Sequence, residues 1–253
     1  MLTPIEAPKV RKSLPRAIYE PKGKAGEYAR LACNLGLGCP HACRYCYVTA
    51  SPAWRVSGRP QGDFGRFVPK EHILEALEAD CARLARKGDP GPVFFSFTHD
   101  PFAMPVVDLM RKAVGILAKH GIGANVLTKS VLTPMDIQLL KRLPRAEVGI
   151  TLTDTVDWKG WEPNAPQPQT RRANLRMAKQ AGLSTWVSCE PILGVEELLG
   201  CVHDTLPWAD RYALGRLNHH PKADKINHRL AITKAVELLE RAGKPYTIKE
   251  GSR

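Results

Sequence analysis

Short runs of β-branched, aliphatic and aromatic residues recur along the chain, and amphipathic patterns fill most of the intervals between them. The runs are typical of buried strands and lie at 30–35, 92–97, 122–127, 146–152, 184–189 and 211–215. Apolar positions spaced three and four residues apart predict helices over 71–86, 105–119, 133–142, 170–181 and 225–242. The chain is therefore predicted to alternate strands with helices.

The third predicted helix has a well-marked start. Thr133 can cap the helix, Pro134 suits its first turn, and Asp136 places a carboxylate near the positive end of the helix dipole. We therefore expect this helix to begin at Thr133 or just after it.

Frequent alternation of strands and helices favours parallel strands joined by right-handed crossovers. Six such units predict an α/β fold, a partial (β/α)6 TIM-type barrel of parallel strands over residues 29–253. Residues 1–28 are rich in Pro, Lys and Gly without sustained periodicity, so we expect an extended basic N-terminal arm there. In barrels, functional side chains gather at the carboxyl ends of the strands.

Composition and charge narrow the function classes. The 253 residues are 43% hydrophobic, which excludes a largely disordered or fibrous chain. The net charge of +12 favours an anionic partner, nucleic acid among them, although a solvated basic surface accounts for the same excess. No apolar run suits a signal peptide or a membrane span, so we expect a cytoplasmic protein. We also expect a monomer.

Three of the seven cysteines, Cys39, Cys43 and Cys46, follow the first strand with the spacing CxxxCxxC. Three thiolates from one loop can hold a four-iron four-sulfur cluster and leave one iron open, whereas structural zinc prefers four closed ligands. His41 can serve as a fourth ligand if the loop folds it inward, so a zinc site is the alternative.

The segment CPHACRYCY resembles the signature of the radical S-adenosylmethionine superfamily, CxxxCxΦC, in which the aromatic Φ is Tyr45 here. The resemblance implies a 4Fe-4S cluster on the three cysteines and S-adenosylmethionine bound at the open iron. It also implies reductive cleavage to a 5′-deoxyadenosyl radical and an electron donor such as flavodoxin or ferredoxin. Tyr45 is then also a cofactor-binding residue.

A closer resemblance joins the chain to the spore photoproduct lyase-like group through FTHDPF, LTKS, the EP of 161–164, and SCEPIL. Lyases of that group place a hydrogen-donating cysteine directly before the motif that aligns with 98–100, and this chain has Phe97 there. The departure argues against spore photoproduct as the substrate. We expect Tyr47 or Tyr45 to donate the hydrogen instead.

Polar residues at the ends of the second and third predicted strands are candidate ligands of S-adenosylmethionine. By resemblance, Thr98 and Asp100 lie where the family binds the methionine amino group, and we assign that role to Asp100, with a cap on the next helix as the alternative. Lys129 ends the third strand, where an ammonium group is costly to desolvate unless an anion meets it. The methionine carboxylate is that anion in our interpretation.

The fourth and fifth strands supply further candidates. Thr151 ends one, while Ser188 and Glu190 end the other, and they offer hydroxyl and carboxylate groups to ribose or methionine. Cys189 alternates with its neighbours and is expected to face the core. Buried packing is also the simplest role for Cys33, Cys81 and Cys201.

Two further segments are candidates for contact with the substrate. One comprises 161–164 with Arg171, Arg172 and Arg176, which line the substrate entrance unless the arginines form a solvated helix face. The other is 218–220, which either contacts the substrate or is a surface loop. The function favoured by the sequence is a radical S-adenosylmethionine enzyme acting on an anionic substrate. The alternative is a nucleic-acid-binding module stabilised by zinc or iron–sulfur, without catalysis.

Overall fold

The structure is a computed structural model and describes residues 14–154, 156–218 and 220–252. Its strands are β1 (Ile18–Tyr19), β2 (Leu31–Cys33), β3 (Gly36–Leu37), β4 (Val68–Pro69), β5 (Val93–Phe95), β6 (Ala124–Thr128), β7 (Glu147–Thr151), β8 (Ser184–Ile192), β9 (Arg211–Arg216) and β10 (Tyr246–Ile248). Its helices are α1 (Pro52–Val56), α2 (Ile73–Ala85), α3 (Val107–Lys119), α4 (Pro134–Leu140), α5 (Trp158–Trp161), α6 (Pro168–Gln180), α7 (Val195–Thr205) and α8 (His228–Arg241).

Eight strands form one curved sheet in the order β1-β2-β5-β6-β7-β8-β9-β10, and β3 pairs with β4 beside it. From β2 to β10 all neighbouring strands are parallel, whereas β1 is antiparallel to β2. The six predicted strands and the five predicted helices are all present. The prediction of a partial (β/α)6 barrel is confirmed, and within the described residues no strand pairing joins β1 to β10.

The capped start of the third predicted helix is also confirmed. The Thr133 side chain accepts from the backbone N–H of Asp136, and the Asp136 carboxylate accepts from the backbone N–H of Thr133. This reciprocal pair satisfies two backbone donors that a helix start leaves open. It fixes the turn between β6 and α4, directly after the strand end that carries Lys129.

Seven of these strands and helices were not predicted, namely β1, β3, β4, β10, α1, α5 and α7. Helix α7 contains Gly200, which weakens the local helical preference, and it is held by Leu198, Cys201 and Val202 against the core. Strands β1 and β10 have only two and three residues, so their own sequence carries little periodic signal. Pairing with longer neighbours creates them.

The main core lies between the outer face of the sheet and the helices and includes Cys33, Cys81, Cys189 and Cys201, as predicted. A smaller cluster, Ala32, Phe94, Trp186 and Ala213, fills the inside of the barrel. Trp186 donates to the Asn125 side chain at 2.9 Å, so its indole nitrogen is satisfied inside the barrel. The rings of Phe94 and Trp186 therefore fill the barrel below the carboxyl ends of the strands.

Side chains close the gap between the two edges of the sheet. Lys249, just after β10, forms a salt bridge of 3.2 Å with Glu27, and its ammonium lies 3.4 Å from the Tyr28 ring centroid. Residues 18–28 therefore pack against the barrel. The predicted domain boundary at residue 28 stays a prediction, and residues 1–13 of the proposed arm lie outside the described residues.

Among the described residues, no helix combines the length and the apolar character needed to cross a membrane.

Candidate active site

A cavity of about 370 Å³ opens at the carboxyl ends of the parallel strands. All eleven site residues predicted from the sequence line it, namely Cys39, Cys43, Tyr45, Cys46, Tyr47, Thr98, Asp100, Lys129, Thr151, Ser188 and Glu190. Strand ends of a parallel barrel converge on one face, which explains how residues from five separate strand ends meet. Their individual roles remain predictions.

The loop that carries the three cysteines is held by close backbone contacts. Gly38 has φ +100°, and a Cβ there would lie 2.2 Å from the carbonyl oxygen of Arg66, so only glycine fits. The backbone N–H of Cys39 donates to the carbonyl of Phe64 at 2.8 Å. Thr98 holds the segment that leads into this loop, because its hydroxyl donates to the carbonyl of Gly36 at 2.6 Å.

All three thiols lie where a negative charge is poorly solvated. Burial raises the pKa of Cys43 to about 12, and it also raises the pKa of Cys39 and Cys46. Lys129 opposes this effect at Cys43 and Cys46. Thiolates at these positions therefore need a cationic partner in the cavity, which a metal centre supplies.

The donor set fits a cubane cluster, in which each thiolate binds a different iron. All three cysteines are free and face one cavity. In the described part of the chain, no three His, Cys, Asp or Glu side chains converge as they would around one metal ion. His41 does not join the thiols, because its ring nitrogens lie 3.2 Å from the carbonyl of Asn164 and 3.1 Å from Asp100.

Asp100 joins the cysteine loop to the end of β6. Its carboxylate accepts from the hydroxyl of Thr128 at 2.6 Å, the hydroxyl of Ser130 at 2.9 Å and the backbone N–H of Lys129 at 2.6 Å. Burial raises the pKa of Asp100, but His41 and these donors outweigh burial and hold it well below its usual range. Asp100 is thus a buried, ionised anchor.

Lys129 projects from the end of β6, and its ammonium lies 5.5 Å from the centroid of the Tyr45 ring. Burial lowers the pKa of Lys129, but Cys43 and Glu162 outweigh burial and keep it raised. No described carboxylate forms a salt bridge with this ammonium. A charged lysine therefore faces the cavity with capacity to bind an anion.

Glu190 lies on β8 and lines the cavity. One carboxylate oxygen accepts from the Tyr28 hydroxyl at 2.5 Å, and the other is buried without a partner among the described residues. Burial raises its pKa. Gly215 makes room for it, since a Cβ there would lie 2.7 Å from the carboxyl carbon of Glu190.

Thr151 of β7 and Ser188 of β8 lie opposite each other in the pairing of these strands, and both line the cavity. The Thr151 carbonyl accepts from Arg171 at 3.2 Å. Tyr47 is half exposed, and its hydroxyl donates to the carbonyl of Phe97 at 2.8 Å. The phenol of Tyr47 therefore lies beside Phe97.

The prediction that Arg171 and Arg172 line the entrance is wrong. Arg171 is fully buried and forms a salt bridge with Glu162, while Arg172 pairs with Asp154. Neither arginine lines the cavity, because both turn inward from α6 to meet carboxylates.

One residue of the segment 218–220 lines the cavity. Asn218 lines the cavity, and His220 packs on Trp161 with ring centroids 4.8 Å apart. His219 lies outside the described residues.

Sequence reasoning missed several residues at the site, among them Tyr28, Glu162, Arg216 and Lys249. Tyr28 had been assigned to the arm, and Lys249 follows a strand too short to be recognised. Glu162 was predicted only as part of the segment at the substrate entrance. Its place in the EP motif, which carries part of the resemblance, was the signal for a role of its own.

The family model of the radical SAM superfamily matches residues 33–205. This chain therefore belongs to the radical SAM superfamily, as the cysteine spacing predicted. Among curated proteins, it is 32% identical over 171 residues to an uncharacterized protein of Acidianus two-tailed virus, covering 64% of this chain and 55% of the viral protein. It is 26% identical over 198 residues to an uncharacterized protein of Methanocaldococcus jannaschii, covering 75% and 71%.

Solved structures show the same fold. Spore photoproduct lyase complexed with dinucleoside spore photoproduct matches with a TM-score of 0.61 at 15% identity, covering 90% of this chain and 65% of the lyase. Streptococcus suis SuiB bound to S-adenosylmethionine matches with a TM-score of 0.59 at 10% identity, covering 87% and 51%. The chain spans 55% of its viral relative, so activity is argued below from its own residues.

Proposed function

We propose that this protein cleaves S-adenosylmethionine reductively and uses the resulting radical on an anionic substrate, with nucleic acid as the favoured class. The observation that carries the proposal is the meeting of Cys39, Cys43 and Cys46 with an unpaired ammonium in one cavity. When bound, the 4Fe-4S cluster supplies the electron that cleaves S-adenosylmethionine to a 5′-deoxyadenosyl radical. The residues of the chain bind, orient and shield the reactants.

Two charged residues suit the methionine end of S-adenosylmethionine. Lys129 offers an ammonium to the methionine carboxylate, and the free oxygen of Glu190 offers an acceptor to the ribose hydroxyls or the amino group. Thr98, Thr151 and Ser188 add oxygen atoms around them. Asp100 contributes indirectly, since it fixes the backbone N–H of Lys129 at 2.6 Å.

Replacing Lys129 with methionine is expected to weaken S-adenosylmethionine binding and spare the cluster. Losing a hydrogen bond to a charged partner costs about 1.5 to 3 kcal/mol, or roughly a ten- to 150-fold rise in Kd. Calorimetry on anaerobically reconstituted protein measures it, with exposed Lys141→Met as control. An unchanged Kd for Lys129→Met would assign the lysine to the substrate or to structure instead.

The basic lining of the cavity supports an anionic substrate. Lys24, Arg216 and Lys249 join Lys129 there, and the Nε of Arg216 is buried without a described partner. Single-stranded nucleic acid offers phosphates to such groups and can present a base to the cavity.

Arg216→Gln tests this substrate class. If Arg216 contacts one phosphate, the variant should bind a single-stranded oligonucleotide more weakly, and the slope of log K against log salt should shrink by about 0.7. Fluorescence anisotropy at several salt concentrations measures the slope, and exposed Arg176→Gln, outside the cavity, is the control. Equal slopes for wild type and Arg216→Gln would remove the phosphate contact.

Tyr47 is the proposed hydrogen donor. The substrate-derived radical takes a hydrogen atom from the Tyr47 hydroxyl, so the O–H bond breaks and a C–H bond forms. The tyrosyl radical then regains one electron from a flavodoxin- or ferredoxin-type donor and one proton from solvent. Tyr45 suits this step less well, because its hydroxyl donates to the fully buried pair of Glu162 and Arg171, whereas Tyr47 is half exposed and donates to a backbone carbonyl. We propose a monomer that works in the cytoplasm, where such donors are found.

A further inference from the structure

The segment 161–164 forms a clamp on the cysteine loop, and we call these four residues the clamp. The backbone N–H of Arg44 donates to the carbonyl of Trp161 at 2.9 Å. The Asn164 amide donates to the carbonyl of Pro40 at 3.0 Å, and the Asn164 carbonyl lies 3.2 Å from His41 Nδ1. The clamp therefore grips the loop on both sides of Cys43.

Between these backbone contacts, the clamp places a fully buried ion pair against the loop. The two carboxylate oxygens of Glu162 accept from the Tyr45 hydroxyl and from Arg171. Arg171 also donates from Nε to the carbonyl of Pro166 at 2.7 Å and from Nη1 to the carbonyl of Thr151 at 3.2 Å. Glu162 and Arg171 are each 0% exposed.

The charges beside the loop are therefore balanced by specific neighbours. Burial raises the pKa of Glu162, but Lys129 and Arg171 outweigh burial and hold it below its ordinary value. A buried ion pair is weak as a stabilising device, since apolar side chains of similar size often stabilise a core as well. Packing alone does not account for a charged pair at this place.

We propose that Glu162 and Arg171 are positioning residues that hold Tyr45 and set the electrostatic potential at the cysteine loop, and with it the reduction potential of a cluster bound there. This inference rests on the proposed function, because it presumes that the three cysteines hold the cluster. Tyr45 is one of the two residues between Cys43 and Cys46, so the pair acts through the segment that joins two of the thiolates.

The sign of the effect follows from charge. Reduction adds one negative charge to the site, and in a poorly solvated interior a neighbouring negative charge opposes it while a positive charge favours it. Removing the charge of Glu162 leaves Arg171 and Lys129 unbalanced, so reduction becomes easier. Removing both members of the pair restores the balance.

The test is a pair of variants titrated anaerobically with the reduced cluster signal followed by electron paramagnetic resonance. Glu162→Gln should raise the equilibrium constant for reduction at least tenfold, a rise of 59 mV in a one-electron midpoint potential. The double variant Glu162→Gln with Arg171→Gln should return to within threefold of wild type. The reversal in the double variant reports the charge of Arg171, because removing one member of a buried pair leaves the other charge uncompensated and removing both does not.

Asp80→Asn is the matched control, because Asp80 is a buried carboxylate that pairs with Arg83 on α2 and does not line the cavity. It should leave the potential within threefold of wild type. An unshifted potential in Glu162→Gln, or a double variant displaced further than the single one, would overturn the inference. If wild-type protein holds no reducible cluster, the proposed function fails first, and the two failures are distinguished.

Discussion

Replacing Cys43 with alanine is expected to abolish cluster binding, with iron and sulfide falling to background and no 5′-deoxyadenosine formed. In the proposed site each of the three thiolates would bind its own iron, so a missing ligand has no duplicate within the cavity. The other cysteines, Cys33, Cys81, Cys189 and Cys201, are buried in the core between sheet and helices. None of them can reach the cavity without unfolding that core. The same loss is expected for Cys39→Ala and Cys46→Ala.

Cys81→Ala provides the control for this experiment. Its thiol is fully buried on α2, so truncation should cost about 1 to 3 kcal/mol of stability and leave the iron content intact. Iron and sulfide analysis after anaerobic reconstitution measures the first effect, and thermal unfolding measures the second. Full iron content in Cys43→Ala would contradict the assignment of the three ligands.

The second large effect concerns the substrate. Under dithionite and S-adenosylmethionine, the wild-type protein should leave a dinucleoside spore photoproduct unconverted or give mainly off-pathway adducts. Phe97 lines the cavity and packs against Phe94 with ring centroids 4.6 Å apart. A phenyl ring has no weakly held hydrogen to return to a product radical, so Phe97 cannot fill the role that the resemblance assigns to a cysteine at this position. Clean multiple-turnover repair to thymines would contradict this expectation.

Phe97→Cys is the converse experiment, and Phe97→Ser is its matched control, since serine has nearly the same size without the thiol. Repair that rises only in Phe97→Cys would indicate that the rest of the cavity is that of a lyase. If neither variant repairs the dinucleoside, the substrate belongs to another class. Tyr47→Phe removes the proposed donor in wild type and should diminish turnover on the true substrate while sparing the cluster.

The sequence predicted the parts of the fold that rest on local patterns. The strands and the cysteine loop were found because burial imposes periodicity and because the three ligands lie within eight residues of one another. The strand ends then placed Asp100, Lys129 and Glu190 around one cavity, because a parallel barrel gathers its strand ends on one face.

The features that were missed depend on contacts between distant residues. Glu162 meets Tyr45 across 117 positions, and Tyr28 meets Glu190 across 162. Spacing along the chain cannot reveal such pairs. Arg171 was misplaced for the same reason, since an arginine on an amphipathic helix is usually solvated unless a distant carboxylate draws it inward.

The most direct test of the account is the release of 5′-deoxyadenosine by anaerobically reconstituted protein incubated with S-adenosylmethionine and dithionite. We predict a brown protein with about four iron and four sulfide ions per chain. Its release of 5′-deoxyadenosine should require dithionite. Chromatography with mass detection measures the product, and Cys43→Ala gives the blank. A colourless protein that holds zinc, binds nucleic acid and leaves S-adenosylmethionine intact would contradict the account.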